Sequence, residues 1–223
     1  MKEYTRFTSK LLAFGLVLTL VLSLFAEYAI AEPVESENFI TQIIGNKPTR
    51  TEQAGIVSFS LNRGIYGIEN YDELINELLI NRDDEIVLKV VFNNGGYLST
   101  LENLIFTLNI VKNDRVETYG DAYSAGAFLS CADTEVYVEP NSKLYFHWVK
   151  ISSEVTPEQT KKIYDDMQEL LVDTCVKNGL LTVEEVNHMR KEADKLTPQD
   201  DKPFIYLTAQ QVKQRIGDRW YEP

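Results

Sequence analysis

Residues 86–92 read IVLKVVF, a run apolar enough on both alternating faces that it has to be covered above and below. Its neighbours supply the cover. Before it, 55–59 has strand character and 70–80 (NYDELINELLI) sets Leu74, Ile75, Leu78 and Leu79 at helical spacing. After it, Ser99 and Glu102 spell a capping box, and Leu101, Leu104, Ile105 and Leu108 share one helical face. Short strands are predicted at 115–119, 135–138 and 143–149. Thr156-Pro157 then opens a long amphipathic helix whose box is completed by Gln159, whose apolar residues are Ile163, Met167, Leu170, Leu171 and Val176, and which Asn178-Gly179 ends. Two further boxes follow, Thr182 with Glu185 and Thr208 with Gln211, the second helix closing at Gly217. Strands separated by helices predict an α/β fold with a largely parallel sheet flanked by helices.

Ahead of this pattern, Lys2, Arg6 and Lys10 precede a mostly apolar stretch, 11–26, and Ala29-Ile30-Ala31 stands before Glu32-Pro33. That layout predicts a secretory signal peptide over 1–31, cleaved after Ala31, and a periplasmic or secreted protein. The alternative is an uncleaved anchor, since 11–26 is slightly short for a bilayer span but manages one if the bilayer thins. Residues 32–53 are polar and carry Pro33, Asn46 and Pro48, so they are expected to be a leader, with one domain over 54–223. The chain carries a net charge of −12, the opposite of the basic excess that a nucleic-acid face shows, so no nucleic-acid partner is expected. Its two cysteines, Cys131 and Cys175, either pair in an oxidising compartment or sit buried as small apolar residues. His188, in VNHMRKEAD, lacks metal-ligand spacing, and no cofactor or metal is expected.

Three stretches carry candidate chemistry. The buried strand ends in Asn93-Asn94-Gly95-Gly96 before a helix, where glycines let backbone N–H groups turn toward a ligand. GDAYSAGAFLSCA then repeats the strand-to-helix junction, with Ser124 at the helix start and small residues (Ala122, Ala125, Gly126, Ala127) around it. A serine there is either an N-cap or a displayed nucleophile aided by the helix field. Third, SKLYFHWV places His147 on a strand, as a satisfied core residue or as a base.

In this order FNNGGYLS, GDAYSAGAFLSCADTEVYVEPNSKLYFH and YLTAQQVKQRIGD resemble the proteolytic subunit of the Clp protease and its relatives of the ClpP/crotonase fold, over most of 55–218. Gly96, Ser124, Pro140-Asn141 and His147 are the specific points of likeness. The resemblance implies repeated β-β-α units, Ser124 as nucleophile, His147 as general base, and the Gly96 and Ala125 amides as an oxyanion hole. Two departures stand out. Asn93-Asn94 replaces the family's Ser-Pro, and Phe204-Ile205 occupies the region of the third triad member, whose nearest acids here are Asp200 and Asp201. Either the loop brings one of them to His147, or the histidine works without a carboxylate.

The segment after His147 is shorter than the family's ring-to-ring element, which argues against a double heptameric barrel, and export argues against an ATPase partner. A ring, a smaller homo-oligomer or a monomer acting on peptide or unfolded protein remains. Two other classes compete with an exported serine peptidase: an inactive binding or scaffold protein on the same fold, and a serine–lysine dyad resembling signal peptide peptidase A, drawing on Lys89, Lys112, Lys143 or Lys150. Acyl-CoA chemistry fits least, because an exported protein meets no coenzyme A.

Overall fold

The apolar run sits where its composition demands, third of five strands in the larger of two sheets. The computed structural model describes residues 48–53, 56–80, 85–111, 114–149, 151, 155–193 and 205–223, all within one unit, Thr41–Pro223. The signal segment 1–31 with its anchor alternative 11–26, the leader up to residue 47, Lys112, Lys150, Asp200 and Asp201 lie outside them. No helix among the described residues is long and apolar enough to cross a membrane.

The strands are β1 (Thr49–Gln53), β2 (Ile56–Asn62), β3 (Ile86–Val91), β4 (Asp114–Tyr119), β5 (Ala122–Tyr123), β6 (Glu135–Val138), β7 (Lys143–Phe146) and β8 (Ile205–Thr208). The α-helices are α1 (Asp72–Ile80), α2 (Leu98–Ile110), α3 (Ala125–Phe128), α4 (Pro157–Leu171), α5 (Val183–Ala193) and α6 (Ala209–Ile216). The larger sheet has the order β1-β2-β3-β4-β6, parallel except at β1, and the smaller has the order β5-β7-β8. Twice the chain sends one strand to the large sheet and the next to the small one before entering a helix: β4, β5, α3 and then β6, β7, α4. The molecule is thus a mixed α/β fold with a mostly parallel sheet flanked by helices.

Ile86, Val87, Leu88 and Val90 of β3 are at most 1% exposed, and the predicted face of α2 (Leu101, Leu104, Ile105, Leu108) is buried with them. Removing such side chains from water stabilises the fold by roughly 1.5–3 kcal/mol each. On α1, Leu74 and Leu78 are buried but Leu79 is exposed. The boxes at Thr156, Thr182 and Thr208 form as spelled, each threonine taking an amide and each Gln or Glu returning to the threonine N–H.

Three expectations change. The end of the leader is a strand: Thr49–Gln53 pairs antiparallel with β2, and its five exposed polar residues are those of a sheet edge, which leaves no apolar alternation to read. Ser99 does not cap α2: the Tyr97 N–H is bound to the Ile65 carbonyl, Tyr97 takes the N-cap position, and the helix starts at Leu98, two residues before the start that a Ser99 cap would give. β7 stops at Phe146, where its pairing with β8 ends, so His147 lies just beyond the strand. Cys131 and Cys175 form a disulfide, Cα to Cα 4.5 Å, joining the turn after α3 to the π-turn after α4.

Candidate active site

Among the described residues, Arg63, Phe92 and Ser124 are the non-glycines with φ in the left-handed region, at 73°, 43° and 51°. They follow β2, β3 and the β4–β5 segment, so backbone strain gathers where the parallel strands end, the edge at which α/β sheets bind ligands.

Asn93 ties these ends together. Its side chain is fully buried; Nδ2 donates to the Leu61 carbonyl at the end of β2, and Oδ1 accepts the Gly95 N–H at 2.9 Å. Its own carbonyl takes the Tyr123 N–H at 2.7 Å. The Gly95 carbonyl and the Tyr97 N–H both bond to Ile65, which leaves the Gly96 N–H without a partner among the described residues. No side chain fits at Gly96, where a Cβ would lie 1.8 Å from the Ile65 carbonyl oxygen.

Ser124 lies against this turn. A Cβ on Gly95 would approach its Oγ to 3.2 Å and its Cβ to 2.6 Å. The Ser124 N–H donates to the Tyr145 carbonyl and its own carbonyl accepts from Phe128, fixing the residue at φ 51°, ψ −124°. That conformation costs a non-glycine on the order of 1–3 kcal/mol. A serine serving only as an N-cap would spend its oxygen on a first-turn amide. Ser124 makes no such bond, and the Ala125 N–H beside it is also unpartnered among the described residues. The helix it opens is a single turn that tightens to 3₁₀ at Leu129–Cys131, so the helix field expected from the sequence is small. Stabilisation of an oxyanion would fall to the local Gly96 and Ala125 amides.

β5 and β7 pair so that Tyr123 faces Tyr145, which puts His147 two residues beyond the carbonyl that holds the Ser124 amide. By that register Ser124 falls opposite Phe146, one residue short of His147, and Ser124 Oγ has no hydrogen bond among the described residues. His147 is half-buried, and its Nδ1 lies 2.6 Å from the Trp148 carbonyl oxygen. Asp200 and Asp201 are not among the described residues, so the structure brings together Ser124, Gly96 and Ala125 and sets His147 two residues along the chain from the Tyr145 carbonyl that bonds the Ser124 amide.

Around the site, Tyr123, Tyr145 and Tyr206 form a row across the smaller sheet, the first two stacked at 4.4 Å. The Tyr145 phenol is held above its ordinary value by burial and then by Asp121 and Tyr123, which keeps it neutral. Of the lysines suggested for a dyad, Lys143 has its Nζ over the Tyr206 ring, and neither it nor Lys89 bonds to Ser124. Phe92 is exposed, with its ring packed over Gly120. Among the described residues no His, Cys, Asp or Glu group could hold a metal ion.

Asn93 and the Trp148 carbonyl were not foreseen. The first had a signal, since an asparagine two residues before a glycine favours the turn in which its side-chain oxygen takes that glycine's N–H. The second, a backbone atom, had none. No protein-family model matches the chain, and no curated protein matches it.

Proposed function

We propose that the protein is an exported serine hydrolase of ClpP/crotonase-like fold that cleaves peptide bonds without an ATPase. Ser124 is its nucleophile, His147 its general base, and the Gly96 and Ala125 amides its oxyanion hole. The observation that carries this is Ser124 itself: a strained strand-to-helix serine whose hydroxyl is not spent on the helix it begins. The repeated strand, strand, helix passage through two sheets supports the fold, and the Cys131–Cys175 bridge supports an oxidising compartment.

In the reaction His147 Nε2 takes the Ser124 hydroxyl proton as Oγ bonds to the peptide carbonyl carbon. The resulting oxyanion accepts from Gly96 and Ala125. When the C–N bond breaks, the same proton passes to the leaving amine, and water then repeats the sequence on the acyl-enzyme. The free Ser124 hydroxyl among the described residues is compatible with this, because catalytic hydrogen bonds commonly form or tighten only around substrate. It is equally what an inactive scaffold would show, and that is the competing reading. A fluorophosphonate probe separates them: labelling lost in Ser124→Ala and slowed strongly in His147→Ala supports the hydrolase, and no labelling of the wild-type chain supports the scaffold.

A further inference from the structure

The His147 ring is held from behind by a backbone group. β7 ends its pairing at Phe146, so the Trp148 carbonyl is outside the ladder and faces His147 Nδ1 at 2.6 Å. A carbonyl oxygen can only accept, so Nδ1 must carry the hydrogen and the lone pair of the neutral ring is on Nε2. That is the tautomer a general base needs. The carbonyl is itself fixed, because the Trp148 side chain is 2% exposed and packs edge-on against Tyr164 of α4 at 5.9 Å.

We propose that the Trp148 carbonyl, anchored by its buried indole, sets the tautomer and orientation of His147, so that Trp148 is a positioning residue and the site needs neither Asp200 nor Asp201. The catalytic meaning rests on the hydrolase reading, but the tautomer does not, so the two fail separately. A carbonyl dipole orients the ring as a carboxylate does while adding no full negative charge behind it. In triad enzymes, replacing the aspartate by asparagine lowers turnover by about ten-thousandfold through the wrong tautomer; here the Asp200→Asn/Asp201→Asn double variant keeps it.

The test uses the full chain with ¹⁵N-labelled histidine. At a pH where the ring is neutral, His147 is expected to show Nδ1–H and an unprotonated Nε2, in the wild type and unchanged in the double variant. Fluorophosphonate labelling of the double variant stays within tenfold of wild type. Trp148→Ala loses the Nδ1–H signature and slows labelling, and Trp148→Phe, which keeps the buried ring, restores both. Should Trp148→Ala fail to fold, the double variant and the wild-type spectrum decide alone. An Nε2–H tautomer in the wild type, or a double variant that changes tautomer or slows more than tenfold, overturns the proposal. An unlabelled Ser124 with the Nδ1–H tautomer intact refutes the hydrolase and leaves the ring geometry standing.

Discussion

The strand ends around Ser124 break local backbone preferences at Arg63, Phe92 and Ser124, while the described parts of the helical block from Thr156 to Arg219 obey them. In that block three capping boxes close, Arg215 grips Glu185 through two bonds of 2.8 Å and also bonds the Leu180 carbonyl, and Arg219 bonds the Thr134 and Asn178 carbonyls. Near Ser124 the opposite holds: a helix starts without its side-chain cap and two amides point at nothing in the described chain. The contrast teaches that backbone strain gathers at the strand ends around the candidate site and is held in place by ordinary packing elsewhere. Each prediction below tests one side of it.

The largest effect is expected at the glycines. Gly96→Ala pushes a methyl into the Ile65 carbonyl, so the bridge to Ile65 must open, and chemical denaturation should show a loss of about 4 kcal/mol or more. Gly95→Ala meets Ser124 instead, from a backbone at φ 97°. Its labelling by fluorophosphonate should fall by about a hundredfold or more, as when an oxyanion donor is displaced, with a smaller loss of stability. Equal labelling in Gly95→Ala would remove the turn from the site.

Next comes the disulfide, which closes a separation of 44 residues and joins the turn after α3 to the helical block. Loop-closure entropy gives it about 4 kcal/mol. Cys131→Ala/Cys175→Ala should unfold at correspondingly lower denaturant, and a reductant should have no effect on that variant while lowering the wild type to match it.

Asp114 tests whether strain is truly confined, because it lies at the opposite end of β4 from Ser124. It is 4% exposed, neither carboxylate oxygen has a hydrogen-bond partner of good geometry among the described residues, and the nearby Thr134 hydroxyl donates to the Asp114 backbone carbonyl and only weakly offsets the burial of the carboxyl. Burial pushes its pKa up to about 7 from an ordinary 3.8. A raised carboxyl pKa means that the folded state holds a proton the unfolded state has released. The group therefore costs nothing below about pH 4, and its cost grows until pH 7. Asp114→Asn should raise stability by about 2–4 kcal/mol at pH 8 and by little at pH 4, read from urea titrations at both. A pH-independent difference would mean that the carboxyl is solvated.

Ser124→Gly carries the comparison to the strained side. If the serine conformation is retained only for chemistry, glycine relieves it, and stability should rise by roughly 1–2 kcal/mol while labelling disappears. Loss of both would mean that the serine side chain stabilises the turn.

What the sequence disclosed follows the same division. The β3 run, the α2 face and the Thr156, Thr182 and Thr208 caps were readable because in each one local preference and tertiary placement agree. The close approach of the Gly95-Gly96 turn to Ser124 was readable through small residues and glycines at two junctions, since it excludes larger side chains, while the roles given to Ser124, Gly96 and Ala125 came from the resemblance. β1 was missed because an edge strand needs no apolar face, and Asn93 because its three hydrogen bonds come from three separate segments meeting. The repeated two-sheet passage does not appear as any periodicity in the sequence.

The smallest effect separates two motifs that look alike as strings. Thr156 with Gln159 and Ser99 with Glu102 both spell a capping box, but only the first forms; Ser99 lies inside α2, whose start is set by the Tyr97–Ile65 bond. Thr156→Ala should therefore cost about 1 kcal/mol in urea denaturation, the usual loss of an N-cap. Ser99→Ala, at an exposed position in the first turn of a helix, should change stability by no more than about 0.5 kcal/mol and in the favourable direction, since alanine is the better helix former. Equal losses at both positions would show that Ser99 caps the helix in solution. The helix would then begin two residues later, and the turn that carries Gly95 and Gly96 to Ser124 would be longer and looser than the bridge to Ile65 allows.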